Sequence, residues 1–137
     1  LSTFPYGCTE QTMSSFLPNL TVTRALDQLG VRARINREDL RKKVDAGLSR
    51  LYDYQHSDGA WGWWKNDDSH PFMTAHVLRG LKEARALGYP VSDDATRRAE
   101  QWLRAEFRRQ DRALPDLRAY LAYSLGRKED VEAVWSA

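Results

Sequence analysis

The segment Gln55-His56-Ser57-Asp58-Gly59-Ala60-Trp61 separates two stretches of helical periodicity. Glycine at position 59 permits a tight turn, because glycine adopts left-handed backbone conformations without a steric penalty. The Gln55 amide can hydrogen-bond backbone groups, and the Trp61 indole can do so while its ring is buried. We therefore expect this segment to fasten a helix end to the loop that follows it.

On the N-terminal side of this segment, apolar spacing predicts helices over about 8–16, 21–29 and 37–55. Pro18 is expected to separate the first helix from the second, because proline lacks an N–H and disfavours helical geometry in the preceding residue. Gly30 ends the second. Asn36 is the expected N-cap of the third, whose apolar side comprises Leu40, Val44, Leu48, Leu51 and Tyr52.

On the C-terminal side, a fourth helix is predicted after Pro71 and closes near Gly88. Ser92 is the expected N-cap of a fifth, and a sixth covers 115–125, with Gly126 as its cap. A seventh begins over 129–135. The apolar stripes of the fourth and fifth comprise Val77, Leu78, Leu81 and Ala84, then Ala95, Ala99, Trp102, Leu103 and Phe107.

The predicted elements are all helical, and no segment shows a convincing period of two residues, so the fold class is all-α. Helix–loop–helix units recurring about every 50 residues indicate a repeating α-hairpin architecture. The segment from Gln55 to Trp61 is also similar to the Gln-x-x-x-Gly-x-Trp repeat of α/α toroids such as the terpene cyclases. We expect an α/α toroid.

A second segment, Phe4-Pro5-Tyr6-Gly7-Cys8-Thr9-Glu10-Gln11-Thr12, places the only cysteine three residues before a glutamine at the start of a predicted helix. Residues three apart on a helix share a face, with Cβ atoms about 5–6 Å apart, so the Cys8 sulfur can reach the Gln11 carbonyl. Loss of the Gln11 nitrogen as ammonia would leave an internal thioester. This bond acylates amines or hydroxyls far more readily than an amide does.

The core Gly7-Cys8-Thr9-Glu10-Gln11 resembles the thioester signature Gly-Cys-x-Glu-Gln of the α2-macroglobulin and complement superfamily. The longer string, with Phe4-Pro5-Tyr6 before it and 16–20 after it, is similar to the bacterial α2-macroglobulins. Vertebrate members usually carry glycine at the position of Thr9, a departure that leaves the reacting pair intact. The resemblance assigns Cys8 and Gln11 to the thioester and Gly7 and Glu10 to its supporting motif.

Several of these residues have a second interpretation. Cys8 alone is also compatible with a buried, inert thiol in a structural helical repeat, although the flanking signature favours the thioester. Glu10 is favourable in the first turn of any helix, because the backbone N–H groups there are unpaired. Phe4 and Tyr6 are candidates for shielding the thioester from water, which competes at roughly 55 M, or for anchoring the chain in the core.

The composition limits the other functions. A net charge of +2, from 21 basic and 19 acidic residues among 137, gives no field suited to nucleic acid. A single cysteine excludes an internal disulfide, and no apolar run or basic leader predicts a membrane span or a signal peptide. The sequence starts without methionine, and it is long enough for about three of the six hairpins of such a toroid. We therefore expect residues 1–137 to be part of a thioester domain that self-associates through uncovered helix faces.

Other chemistry finds little support. The spacing of His70 and His76 does not suit a metal site, His56 is expected to be exposed or to cap a helix, and no cofactor motif is present. Trp61, Trp63 and Trp64 are expected either to pack into the core or to form a ligand platform. A terpene-cyclase-like enzyme is the alternative function, but its acidic motif is missing. The pairs 67–68 and 93–94 suit turns and caps.

The resemblance implies a non-enzymatic endopeptidase inhibitor that is cleaved by a protease, changes conformation and captures that protease covalently. Its partners would be target proteases and the remaining domains of a larger parent protein. The stretch 117–128 lacks the histidine that hydroxyl-reactive members use, which favours direct attack by amines. A periplasmic or cell-surface location is implied for the parent protein.

Overall fold

A computed structural model describes residues 8–29, 37–109 and 115–126 of the chain. These residues form five α-helices joined by loops, and none of them is in a β-strand. The predicted all-α class is confirmed. The helices are α1 (Cys8–Leu29), α2 (Arg37–Tyr54), α3 (Pro71–Ala86), α4 (Asp93–Arg109) and α5 (Pro115–Leu125).

The first helix differs from the prediction, because α1 continues through Pro18 as one element rather than breaking into two. Pro18 lies on the exposed side of α1, where water can bind the backbone carbonyl that loses its partner. Phe16 and Leu20, on either side of it, are both fully buried. Burial on both sides therefore outweighs the penalty of about 3 kcal/mol for an internal proline.

The other helices largely match the prediction. The Ser92 hydroxyl accepts a hydrogen bond from the Ala95 N–H (3.1 Å) at the start of α4. Gly126 follows α5 with φ +71°, the left-handed conformation expected of a cap. The predicted cap Asn36 and the predicted helix over 129–135 lie outside the described residues.

The segment between α2 and α3 ties three helices together. The Gln55 side-chain amide donates to the backbone carbonyls of Gly59 (2.8 Å) and Ala95 (3.0 Å), which joins the end of α2 to the start of α4. Gly59 has φ +97°, and a Cβ there would lie 2.8 Å from the Arg98 carbonyl oxygen. The Trp61 indole N–H donates to the Leu51 carbonyl (2.7 Å) inside the core. The predicted fastening role is confirmed.

The core lies between α1, α2 and α3 and continues between α3, α4 and α5. The predicted apolar stripes face it, and this includes Tyr52 and Trp102, which are half-buried and pack against the core. No described helix is both long and apolar enough to cross a bilayer. The fully or nearly fully buried core residues include Met13, Phe16, Leu20, Val44, Leu51, Trp61, Val77, Leu78, Leu81, Ala99 and Leu103.

Candidate functional site

The two residues predicted to form the thioester occupy the first turn of α1. Cys8 is the first residue of the helix and is half-buried, whereas Gln11 lies one turn later and is exposed. The helix therefore supplies the three-residue spacing that the chemistry requires. Gly7, Phe4 and Tyr6 lie outside the described residues.

The first turn of α1 is held by the loop that follows α2. The Thr9 backbone N–H donates to the Trp63 carbonyl (3.2 Å), and the Thr12 hydroxyl donates back to the Cys8 carbonyl (2.9 Å). Both threonine side chains are buried. Because Thr9 and Thr12 anchor the inner side of the turn, Gln11 is presented on its outer side. The thioester motif does not predict the hydrogen bond between Thr9 and Trp63, because the two residues are far apart in the sequence.

Glu10 lies on the side of α1 that faces α3. It lines two neighbouring cavities, of about 220 Å³ and about 300 Å³, and His76 lines both of them as well. Burial lowers the pKa of His76, Arg79 lowers it further, and Glu10 partly opposes them. The sequence pattern does not predict this proximity of His76 to Glu10, because no local spacing relates residues that are 66 positions apart.

The three tryptophans near the loop have different environments. Trp61 is fully buried in the core, whereas Trp63 is 39% exposed and Trp64 is 46% exposed. Core packing is therefore confirmed for Trp61 alone. The rings of Trp63 and Trp64 remain partly open to solvent.

The other two histidines have structural roles. His56 is half-buried rather than exposed, and its ring nitrogens hydrogen-bond the Ser69 hydroxyl (2.9 Å) and the Trp64 carbonyl (3.0 Å). His70 is the N-cap of α3. Within residues 8–29, 37–109 and 115–126, no three His, Cys, Asp or Glu side chains are grouped so as to hold a metal ion.

The paired acidic residues are engaged in turns and surface ion pairs. Asp67 accepts hydrogen bonds from the backbone N–H groups of Trp63 (2.9 Å) and Trp64 (3.1 Å). Asp93 and Asp94, in the first turn of α4, form ion pairs with Arg85 and Arg97. This agrees with the turn and cap roles predicted for both pairs.

The chain matches the family model of the A-macroglobulin TED domain over residues 1–121. It is 41% identical over 101 residues to an α2-macroglobulin from Thermotoga maritima, covering 74% of this chain and 6% of that protein. The chain thus spans a small part of the length of this relative.

Solved structures of related proteins share the fold. The crystal structure of Salmonella α2-macroglobulin reacted with methylamine is 27% identical, has a TM-score of 0.76 and covers 98% of this chain and 10% of that one. Escherichia coli α2-macroglobulin activated by porcine elastase is 30% identical, has a TM-score of 0.74 and covers 97% of this chain and 13% of that one. The expected α/α toroid fold is therefore confirmed, and the chain belongs to the TED-domain family of the A-macroglobulins.

Proposed function

We propose that Cys8 and Gln11 form an internal thioester and that the chain supplies this bond to a protease-trapping inhibitor of the α2-macroglobulin type. The observation that carries this proposal is the presence of both residues in the first turn of α1, within a chain that matches the TED domain. Gly7 and Glu10 complete the motif. The proposal favours this function over a terpene-cyclase-like enzyme or a structural repeat.

Two related structures support the chemistry and the target. A Salmonella relative has been reacted with methylamine, which is a small primary amine. An Escherichia coli relative has been activated by elastase, which is a protease. For this chain, we infer that a lysine amine of a captured protease is the nucleophile. The cleaved segment and the conformational change belong to the other domains of the parent protein.

The proposed reaction consumes the bond that drives it. The amine nitrogen attacks the Gln11 acyl carbon, the carbon–sulfur bond breaks, and the Cys8 sulfur leaves as a thiolate that takes up the proton lost by the amine. The products are an amide linking the protease to Gln11 and a free Cys8 thiol. Each chain reacts once, so the protein acts as a stoichiometric inhibitor and not as an enzyme.

The bond must be kept dry until it is used, because water competes with the amine. Gln11 is exposed, so the proposed shield is provided by residues outside the described set, with Phe4 and Tyr6 as candidates, or by other domains of the parent. For that parent we infer the periplasmic or cell-surface location that the resemblance to the bacterial α2-macroglobulins implies.

Intact mass spectrometry with thiol titration tests the thioester. The chain, and a longer polypeptide that contains it, are measured before and after treatment with methylamine. We expect a starting mass short by one ammonia with no free thiol, followed by a methylamine adduct on Gln11 and release of the Cys8 thiol. A full sequence mass and an amine-insensitive thiol in the longer polypeptide would refute the proposal.

Two variants serve as controls in that experiment. Cys8→Ser removes the sulfur, and Gln11→Ala removes the acyl group, so neither variant should lose ammonia or bind methylamine. Ser14→Ala, one turn further along the exposed side of α1, should behave like the unmodified chain. Methylamine incorporation into either of the first two variants would place the reactive group elsewhere.

A further inference from the structure

A cavity of about 220 Å³ opens beside the first turn of α1. Its walls come from α1, from the loop before α3, from α3 and from α5. Glu10 directly precedes Gln11, so the cavity lies at the same helical turn that carries the proposed acyl group. The described lining residues are Glu10, Trp63, Phe72, Met73, His76 and Tyr120.

Trp63, Phe72 and Tyr120 line the cavity, and together with His70 they form a series of edge-to-face and tilted ring contacts. The Phe72 and Tyr120 ring centroids are 5.4 Å apart, those of His70 and Phe72 are 6.1 Å apart, and those of Trp63 and His70 are 6.0 Å apart. Trp63 and Phe72 are nevertheless 39% and 45% exposed. A contiguous group of partly exposed aromatic rings is typical of a binding surface, whereas single exposed apolar residues are common everywhere.

Glu10 supplies the negative charge of the cavity. His76 is neutral at physiological pH, because burial and Arg79 lower its pKa from an ordinary value of 6.5. Glu10 is therefore the one described lining residue that carries a formal charge. Arg79 is the opposing charge. It acts on His76 more strongly than Glu10 does, but it does not line the cavity, and its guanidinium lies 4.7 Å from the Tyr123 ring centroid.

Helix dipoles act in the opposite direction. The N-termini of α1 and α3 both lie at the cavity and would disfavour a cation, each by an effective charge of about half a unit. The positive end of each helix is weakened by a hydrogen bond to one of its free N–H groups. The Thr9 N–H donates to the Trp63 carbonyl in α1, and the His70 ring caps α3. The Glu10 carboxylate and the lining rings of Trp63, Phe72 and Tyr120 are the groups that can attract a cation.

We propose that this cavity binds an alkylammonium group, which in the working protein is the side chain of a lysine on the captured protease. The aromatic rings would contact the methylene stem and the cationic head, and the Glu10 carboxylate would face the charge. The lysine assignment rests on the proposed thioester function. The site would raise the local concentration of lysine side chains at the first turn of α1, which carries Gln11.

A quaternary ammonium ion tests the cavity without any acyl transfer, because it has no nucleophilic nitrogen lone pair. Tetramethylammonium is titrated into the full chain at constant ionic strength, with neopentyl alcohol as a neutral ligand of similar shape. The indole N–H signals of Trp63 and Trp64 are followed by NMR. We expect a saturable shift at Trp63, a smaller one at Trp64, and roughly tenfold weaker binding of the alcohol.

Variants separate the charge from the rings. Glu10→Gln should remove most of the preference for the ammonium ion, whereas Asp39→Asn, which alters an exposed carboxylate in the first turn of α2, should retain it. Phe72→Leu keeps the apolar volume and loses one aromatic face, so it should weaken binding of the ammonium ion more than that of the alcohol. Backbone amide spectra verify that each variant folds.

Two results would overturn the proposal: equal binding of the two ligands, or no saturable shift at Trp63 in folded protein. Cys8→Ser, which cannot form a thioester, should bind tetramethylammonium as the unmodified chain does. A failed ammonium titration therefore leaves the methylamine result unaffected. Conversely, a chain without a thioester can still bind the ammonium ion.

Discussion

Trp61 shows how one side chain connects the loop to the core. Its ring is fully buried, its indole N–H donates to the Leu51 carbonyl, and its backbone N–H donates to the Thr74 hydroxyl (2.9 Å). The Thr74 hydroxyl also donates to the Trp61 carbonyl (3.1 Å). The residue therefore joins the end of α2 to the first turn of α3, and the loop is part of the core.

Replacing Trp61 with phenylalanine should lower the free energy of unfolding by about 2–4 kcal/mol, because it leaves a cavity and an unpaired Leu51 carbonyl. Urea denaturation monitored by circular dichroism measures the change. Trp64→Phe is the matched control at an exposed position and should stay within about 0.5 kcal/mol of the unmodified chain. Equal losses in the two variants would contradict the role assigned to Trp61.

His76 should make stability depend on pH. Its folded-state pKa is lowered by burial, so the unfolded chain takes up this proton first as the pH falls. Stability is therefore full above the unfolded pKa of about 6.5 and is lost as the pH falls through the lower folded value. Glu10 and Arg79 are the charged groups that act on His76.

The His76→Phe variant should lose part of this dependence, because phenylalanine fills the site without titrating. Urea midpoints at pH near 7.5 and near 5.5 measure the effect. His70→Asn keeps an acceptor at the N-cap of α3 and controls for the loss of a histidine, so it should retain the dependence of the unmodified chain. An unchanged pH dependence in His76→Phe would show that other groups cause it.

At the scale of elements, α1 is held on two sides by glycines of its neighbours. Gly47 on α2 and Gly80 on α3 both allow close approach to α1. A Cβ at Gly47 would lie 2.7 Å from a ring carbon of Phe16, whereas a Cβ at Gly80 would lie 2.9 Å from the terminal methyl of Met13. The buried ring has little room to move, and the methionine end is flexible.

The two glycine-to-alanine variants should therefore differ in sign or in size. Gly47→Ala should destabilise the chain by about 1–2 kcal/mol, because overpacking against Phe16 exceeds the helical gain of up to about 1 kcal/mol. Gly80→Ala should be neutral or slightly stabilising. Thermal and urea unfolding of both variants checks this comparison. A larger loss in Gly80→Ala would mean that α3 packs on α1 more tightly than α2 does.

At the scale of the whole molecule, the five described helices leave large apolar side chains on the surface. Among the residues that the structure describes, the exposed large apolar ones are Val22, Leu29, Trp63, Trp64, Phe72 and Tyr123. In the parent protein, other helices or domains are expected to cover such faces.

We predict that the isolated chain self-associates at roughly tens of micromolar, because uncovered apolar faces bury each other in water. Sedimentation velocity over a concentration series measures this directly. A variant with Leu29→Ser and Val22→Ser should associate less if the end of α1 is the contact, and the Trp64→Ser variant tests the loop side. A stable monomer over the whole range would contradict the prediction.

The local sequence pattern determined most of the helices and the role of the segment from Gln55 to Trp61. Periodicity of apolar residues placed α2 to α5 within a few residues of their observed ends, because each stripe is a property of its own segment. The spacing of Cys8 and Gln11 was likewise local, since three residues along a helix define one face. The sequence by itself therefore determined the all-helical class and the proposed reacting pair.

The tertiary structure alone decided where a local preference is overridden and which distant residues come into contact. The continuation of α1 through Pro18 depends on core partners that bury Phe16 and Leu20. The approach of His76 to Glu10 and the hydrogen bond from Thr9 to Trp63 join residues far apart in the chain. Such contacts arise from the packing of whole helices and loops, so their energies are absent from any single segment.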